Sequence, residues 1–204
     1  ANDASDNART AIARAKLRTQ ELGELVQDLQ QLTALESGAL RNQEKEVNLN
    51  DIARQLAETY QEPASNKGQT IQLELDTDIP VIYAVPRLIQ EAAANYITNA
   101  IKYTPEGGNI TIRTKQENGN VLFEVVDTGV GVPPEFIENL FGEFVRAPAT
   151  VSGKRPPGIG LGLSIVKRIL AYYDGKVYVD SELGKGSTFG FSLPIAPSSE
   201  GKSD

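Results

Sequence analysis

The chain contains no cysteine, methionine, tryptophan or histidine. Without cysteine and histidine there is no disulfide framework, zinc finger, haem ligation or Cys/His nucleophile pair. No imidazole is present to serve as base, proton shuttle or phosphate acceptor. Basic blocks are missing too, and a net charge of −7 argues against a nucleic-acid binder. No apolar run approaches the roughly 18 residues of a membrane span, and no signal-peptide pattern opens the chain. These absences predict a soluble, cytoplasmic piece with no membrane contact of its own. With alanine first and methionine absent, the sequence reads as part of something longer. What is present is ordinary globular composition, 40% hydrophobic and 23% charged, and 204 residues suffice for one or two domains with a proper core.

The first forty residues differ in texture from the rest. No proline occurs from Ala8 to Leu40, and Ile12, Ala15, Thr19, Leu22, Val26 and Leu29 step by three and four. Leu25, Leu32 and Leu35 widen that stripe, which predicts a long amphipathic helix ending near Gly38. A core helix of a single domain is the plainer reading. A coiled-coil or bundle helix seeking a partner is favoured, because such length is unusual inside a small α+β domain.

From Arg41 onward short elements alternate. Leu49 to Tyr60 predicts a helix with Asn50 as N-cap, and Thr70 to Leu75 a strand. Arg87 to Tyr103 predicts a helix with a small-residue face, stopped by Thr104-Pro105. Asn109 to Lys115 and Val121 to Asp127 flank Asn118-Gly119 as a hairpin. A Gly/Pro-rich stretch from Gly129 to Gly162 holds a short helical piece at Pro134 to Leu140. A helix at Leu161 to Tyr173 and strands at Lys176 to Asp180 and Thr188 to Leu193 complete an α+β sandwich. The polar tail from Pro197 is expected to fray.

Three constellations carry chemistry. Gly158-Ile-Gly160-Leu-Gly162-Leu163 opens a helix and can turn backbone N–H groups toward an anion, although it matches neither the P-loop nor the dinucleotide fingerprint, and a hinge explains it as well. Asp127-Thr-Gly129-Val-Gly131 ends a strand. Its carboxylate can accept from an exocyclic amine while the glycines admit a ring, and a simple turn is the plainer alternative. Glu91, Asn95 and Asn99 share a helix face with Lys102. Amide oxygens there are hard donors suited to Mg²⁺, and Lys102 adds a phosphate-directed charge; solvated polar residues are the plainer reading, disfavoured because asparagine is a poor helix former.

Together with Phe141-Gly-Glu-Phe144 and Gly184-Lys-Gly-Ser-Thr-Phe189, these segments follow one another in the order and approximate spacing of two-component sensor histidine kinases, which the chain resembles from about Arg41 to Pro194. The resemblance implies a Bergerat-type two-layer α/β sandwich preceded by a long dimerisation helix. Residues 1–44 would be the second helix of the dimerisation and phosphotransfer region, 45–196 the catalytic ATP-binding domain and 197–204 a disordered tail. By position, Asn99 would bind Mg²⁺ with Asn95 beside it, and Lys102 and Tyr103 would line the nucleotide; Asn95, Asn99 and Lys102 are the implied catalytic set. Asp127 would read the adenine amino group with Gly129 and Gly131 against the ring. Phe141 and Phe144 would sit at the base of an ATP lid, Gly142 to Pro157, in which Lys154 and Arg155 await the triphosphate. Gly158, Gly160 and Gly162, with Leu161 and Leu163, would form its phosphate-side hinge, and Ser187 and Thr188 would lie near adenine.

Two departures accompany the resemblance. The phosphoacceptor histidine of the family is absent, so the acceptor helix is expected upstream of Ala1, and Pro157-Gly158-Ile159 replaces the usual glycine-threonine entry. Implied partners are that helix, a response-regulator receiver domain and a second copy of the parent protein. Competing readings are a Bergerat ATPase, a serine-directed anti-sigma kinase and a non-catalytic nucleotide-binding module. The ATPases usually place a glutamate base where Asn95 stands, and an amide cannot deprotonate water.

Overall fold

The computed structural model describes residues 41–143, 145 and 160–195, together with Thr19 and Gly23, both helical. Most of the expected helix at residues 8–40, the span 146–159 with Arg155 and Gly158, Phe144, and the tail from 197 lie outside the described residues. After a 3-10 turn at Arg41–Gln43 come β1 (Lys45–Val47), α1 (Leu49–Ser65), β2 (Thr70–Leu75), β3 (Ile82–Ala84) and α2 (Pro86–Tyr103). Then follow β4 (Asn109–Glu117), β5 (Asn120–Asp127), the short α3 (Pro134–Ile137), α4 (Gly162–Tyr172), β6 (Lys176–Glu182) and β7 (Gly186–Pro194).

Five strands form one sheet in the order β2-β4-β5-β7-β6, parallel only between β2 and β4, while β1 and β3 make a separate antiparallel ribbon. Strand alternation selects the core face. Ile110 and Ile112 of β4, Val121, Phe123 and Val125 of β5, and Phe189, Phe191 and Leu193 of β7 share it and are buried. The rings of Phe123 and Phe191 stack at 5.2 Å. Tyr96 of α2 tilts against Phe189 and Phe191 at 5.7 and 6.1 Å, and its hydroxyl donates to the Gly190 carbonyl at 3.2 Å. Helices α1, α2 and α4 cover this face, giving the expected two-layer α+β sandwich.

Register also explains the opposite face. Glu74, Arg113, Glu124, Gly190 and Tyr178 fall in one row across all five strands. Glu124 is buried in that row yet accepts from Lys115 Nζ at 2.9 Å and from the Tyr178 hydroxyl at 2.8 Å, so its charge is paired.

Several expected boundaries move. The first helix runs five residues beyond Tyr60 and carries Pro63 inside its last turns. Its N-cap is Asn48, whose side chain accepts from the Asn50 amide at 2.8 Å, and not Asn50 itself. Asn50 is instead buried, donating from Nδ2 to the Asp76 carbonyl at 2.8 Å and accepting from the Thr114 hydroxyl. The hairpin stands as expected: Asn118 and Gly119 have φ of 50° and 75°, the two left-handed residues a type I′ turn requires. The β1–β3 ribbon went unforeseen because three-residue strands show no alternation to read.

The two asparagines should therefore separate in a stability measurement. Asn50→Ala removes two hydrogen bonds from a buried side chain and leaves the buried Thr114 hydroxyl without its partner, which should cost about 2–3 kcal/mol. Asn48→Ala removes only a cap, about 1 kcal/mol. Urea denaturation in which Asn50→Ala is no less stable than Asn48→Ala would contradict this assignment.

Candidate functional site

Asp127 is the last residue of β5, facing the core side between Ile110 of β4 and Ser187 of β7. Its Oδ1 accepts from the Gly129 amide at 2.7 Å. Burial raises the carboxyl to about pKa 6, and the backbone amides of Gly129 and Ser187 oppose that rise by stabilising the charge. A buried carboxylate whose burial cost is only partly offset, at the end of a strand, is a strong acceptor for an incoming N–H donor.

Glycine is required around it because backbones meet there. Gly131 has φ +69°, and a Cβ on it would lie 2.2 Å from the Glu182 carbonyl oxygen. Gly186 has φ +117°, and a Cβ there would lie 1.9 Å from the carbonyl oxygen of Asp127. A Cβ on Gly129 would lie 2.5 Å from Asp127 Oδ1 and 2.8 Å from the Tyr103 carbonyl oxygen. Backbone hydrogen bonds then fix the loop: Thr128 N to Asn109 O at 3.1 Å, Val130 N to Tyr103 O at 3.3 Å and Gly184 N to Val130 O at 2.8 Å. Val132 N donates to the Ser181 hydroxyl at 2.8 Å.

The Tyr103 carbonyl joins this loop to the end of α2, the helix whose polar face holds Glu91, Asn95, Asn99 and Lys102, all half-buried. Asn95 Nδ2 donates to the Glu91 carbonyl at 3.1 Å, leaving its Oδ1 against the first residue of α4. A Cβ on Gly162 would come within 2.3 Å of that oxygen, so glycine is what allows α4 to start beside Asn95. Lys102 Nζ lies 5.5 Å from the Tyr103 ring centroid. At the far end of the helix pair, the Val85 amide donates to the Tyr173 hydroxyl at 3.0 Å. The N-cap residue of α4, Leu161, makes no side-chain cap hydrogen bond to the first turn.

The structure thus brings Tyr103, Asp127, Gly129, Gly131 and Ser187 together, and joins Asn95 to Gly162 on the adjoining helix pair. Asn99 and Lys102 share the α2 face with Asn95. Phe141, Leu161 and Leu163 are half-buried and pack against the core, which makes them anchors of the flanking segments. Gly160 takes φ +85° just before α4. Thr188 does not join the group. It pairs with Val126, one residue off the Asp127–Ser187 pair, and alternation sends its side chain through the other face of the sheet. Ser181 was not expected, although counting back from the Gly184 turn places it opposite Ser187.

Among the described residues no cluster of three or more His, Cys, Asp or Glu could hold a metal, and no helix is long and apolar enough to cross a membrane. Residues 84–197 match the family described as histidine kinase-, DNA gyrase B- and HSP90-like ATPase. The adaptive-response sensory kinase SasA of Synechococcus elongatus is 35% identical over 187 residues, covering 90% of this chain and 46% of the relative. SasA of Crocosphaera subtropica is 35% identical over 178 residues, covering 85% and 45%. The chain therefore spans a little under half the length of these relatives. Full-length ShkA, solved in complex with AMPPNP, superposes with a TM-score of 0.76 at 31% identity over 93% of this chain and 39% of that one. The catalytic domain of histidine kinase ThkA gives 0.66 at 27% identity, covering 76% of this chain and 99% of that domain. By these likenesses the chain belongs to the histidine kinase-, DNA gyrase B- and HSP90-like ATPase family, as a catalytic domain of the two-component sensor histidine kinase type.

Proposed function

We propose that this chain binds ATP with Mg²⁺ between α2, the Asp127–Gly131 loop and the first turn of α4, and donates the γ-phosphate to a histidine carried by a partner helix. A receiver-domain aspartate would then take the phosphate in a two-component relay. The observation that carries the reading is Asp127, a buried carboxylate held by the Gly129 amide at 2.7 Å beside the end of the Asn/Lys-bearing helix. An exocyclic adenine amine is the donor that suits it. Asn95, Asn99 and Lys102 would face the phosphates, with the α4 N-terminus contributing its dipole.

The donor set fits magnesium of the kind that is held mainly by phosphates and water. Such an ion needs one or two hard protein oxygens rather than a carboxylate cage, and the amide oxygens of Asn99 and Asn95 supply them. The ion would neutralise phosphate charge; the chain's own work is to position the donor for in-line attack. Hydrolysis as the main activity is disfavoured because Asn95 is no base and Glu91 lies one helical turn away. A dimeric parent protein and a cytoplasmic setting are part of the same reading.

Asp127 yields a prediction whose sign differs for stability and binding. Its folded pKa of about 6 lies above the ordinary 3.8, so the folded chain holds the proton more tightly than the unfolded one. The stabilisation from that proton is complete below pH 3.8 and is lost as pH rises toward about 6. Near neutral pH the ionised group therefore opposes folding. Asp127→Asn should raise stability there by about 1–3 kcal/mol while weakening ADP binding at least about tenfold. Melting curves and calorimetric titrations check both; a variant that binds ADP as tightly as the parent would contradict the assignment.

The transfer step is tested with labelled ATP, Mg²⁺ and a helical fragment bearing an exposed histidine from a related kinase. The chain alone has no histidine and should gain no acid-labile phosphate. The fragment should be labelled by the parent chain and at least about a hundredfold more slowly by Asn99→Ala. Acid-labile label on the chain itself, or equal transfer by Asn99→Ala, would contradict the reading.

A further inference from the structure

Ser181 lies outside every glycine or asparagine motif, yet its hydroxyl makes three polar contacts behind the site. It accepts from the Val132 amide at 2.8 Å, lies 3.0 Å from the Gly186 carbonyl and 2.9 Å from the Ser187 hydroxyl. A serine hydroxyl has one proton to give and two lone pairs. The Gly186 carbonyl can only accept, so the Ser181 proton is committed to it. The Val132 amide takes one lone pair, and the other receives the Ser187 proton. Ser187 Oγ is left with lone pairs alone.

That polarity matters because of where Ser187 stands. It is the register partner of Asp127 on the same face of the sheet, and both side chains are buried. The pocket edge formed by the Asp127 carboxylate and Ser187 Oγ then presents only acceptors. An amino group satisfies such an edge, whereas a carbonyl oxygen in the same place meets like partial charges and leaves buried acceptors unpaired.

We infer that Ser181 is a specificity-determining positioning residue: by fixing the Ser187 hydroxyl as an acceptor, it makes the site select a 6-amino purine over a 6-oxo purine. The inference rests on the adenine-nucleotide reading above. It assigns Ser181 no contact with the nucleotide, only control of the proton on its neighbour.

The test is calorimetric titration of ADP and inosine diphosphate into the parent chain, Ser181→Ala and Ser181→Thr. These nucleotides differ in the amino or oxo group at position six and in the proton that the 6-oxo base carries on the adjoining N1. In Ser181→Ala the Ser187 hydroxyl is released to turn its proton into the pocket. The ADP-over-inosine-diphosphate preference should shrink by about three- to tenfold, the worth of one hydrogen bond. Ser181→Thr keeps the hydroxyl and should keep the preference. A merely structural serine would weaken both nucleotides alike and lower the melting temperature, leaving the ratio unchanged, and that result overturns the inference. A Ser181→Ala/Ser187→Ala pair adds a check, since the first change should have no further effect on the ratio once Ser187 is gone. A parent chain that binds the two nucleotides equally would overturn the adenine reading itself, which separates the two failures.

Discussion

A carboxylate buried at the end of a strand keeps its charge only if donors reach it, and the site is arranged around meeting that need for Asp127. Two donors come from backbone, the Gly129 amide one turn ahead and the Ser187 amide across the strand pair. Neither is enough to cancel the cost of burial, as the raised pKa shows. The remaining demand is what makes the position a binding determinant. It also accounts for the close backbone approaches nearby. Gly186 packs on the Asp127 carbonyl and Gly131 on the Glu182 carbonyl, so the β5 exit loop and the β6–β7 turn are pressed into one rigid frame.

The helices are tied to that frame at defined points. Tyr103, at the end of α2, gives its carbonyl to Val130, which fixes the Asn/Lys face relative to the Asp127 loop. Helix α4 lies antiparallel to α2, held by the Val85–Tyr173 hydrogen bond at one end and by the Asn95–Gly162 approach at the other. The apolar layer of Phe123, Tyr96, Phe189 and Phe191 supplies the cohesion beneath. Packing of this kind tolerates little displacement, so the polar groups above it inherit its precision.

What the sequence revealed was what is local. The Asn95–Asn99–Lys102 spacing, the Asp127 loop and the Asn118-Gly119 turn lie within a few residues of themselves, and each sits in the element expected of it. The strand face of β5 and β7 was legible from alternation. Features decided by contact across distance were not. Asn50 reads as a helix cap from its neighbours, yet its partners are Asp76 and Thr114, brought to it by folding. Thr188 and Ser187 look equivalent within one motif, and only strand register separates them. Ser181 belongs to no motif, and its role follows from pairing with Ser187 and from the reach of Val132. The resemblance to sensor kinases named the positions; the hydrogen-bond directions came from the fold.

The most direct measurement of whether Asp127 reads the base as an ionised acceptor is its own titration. In protein labelled at the aspartate carboxyl carbons and assigned by Asp127→Asn, the Asp127 resonance should titrate near pH 6 without nucleotide. With saturating ADP the midpoint should fall, because a donor on the carboxylate favours its charged form. A midpoint that stays where it was, or rises, with ADP bound would contradict the role given to Asp127 and the site built around it.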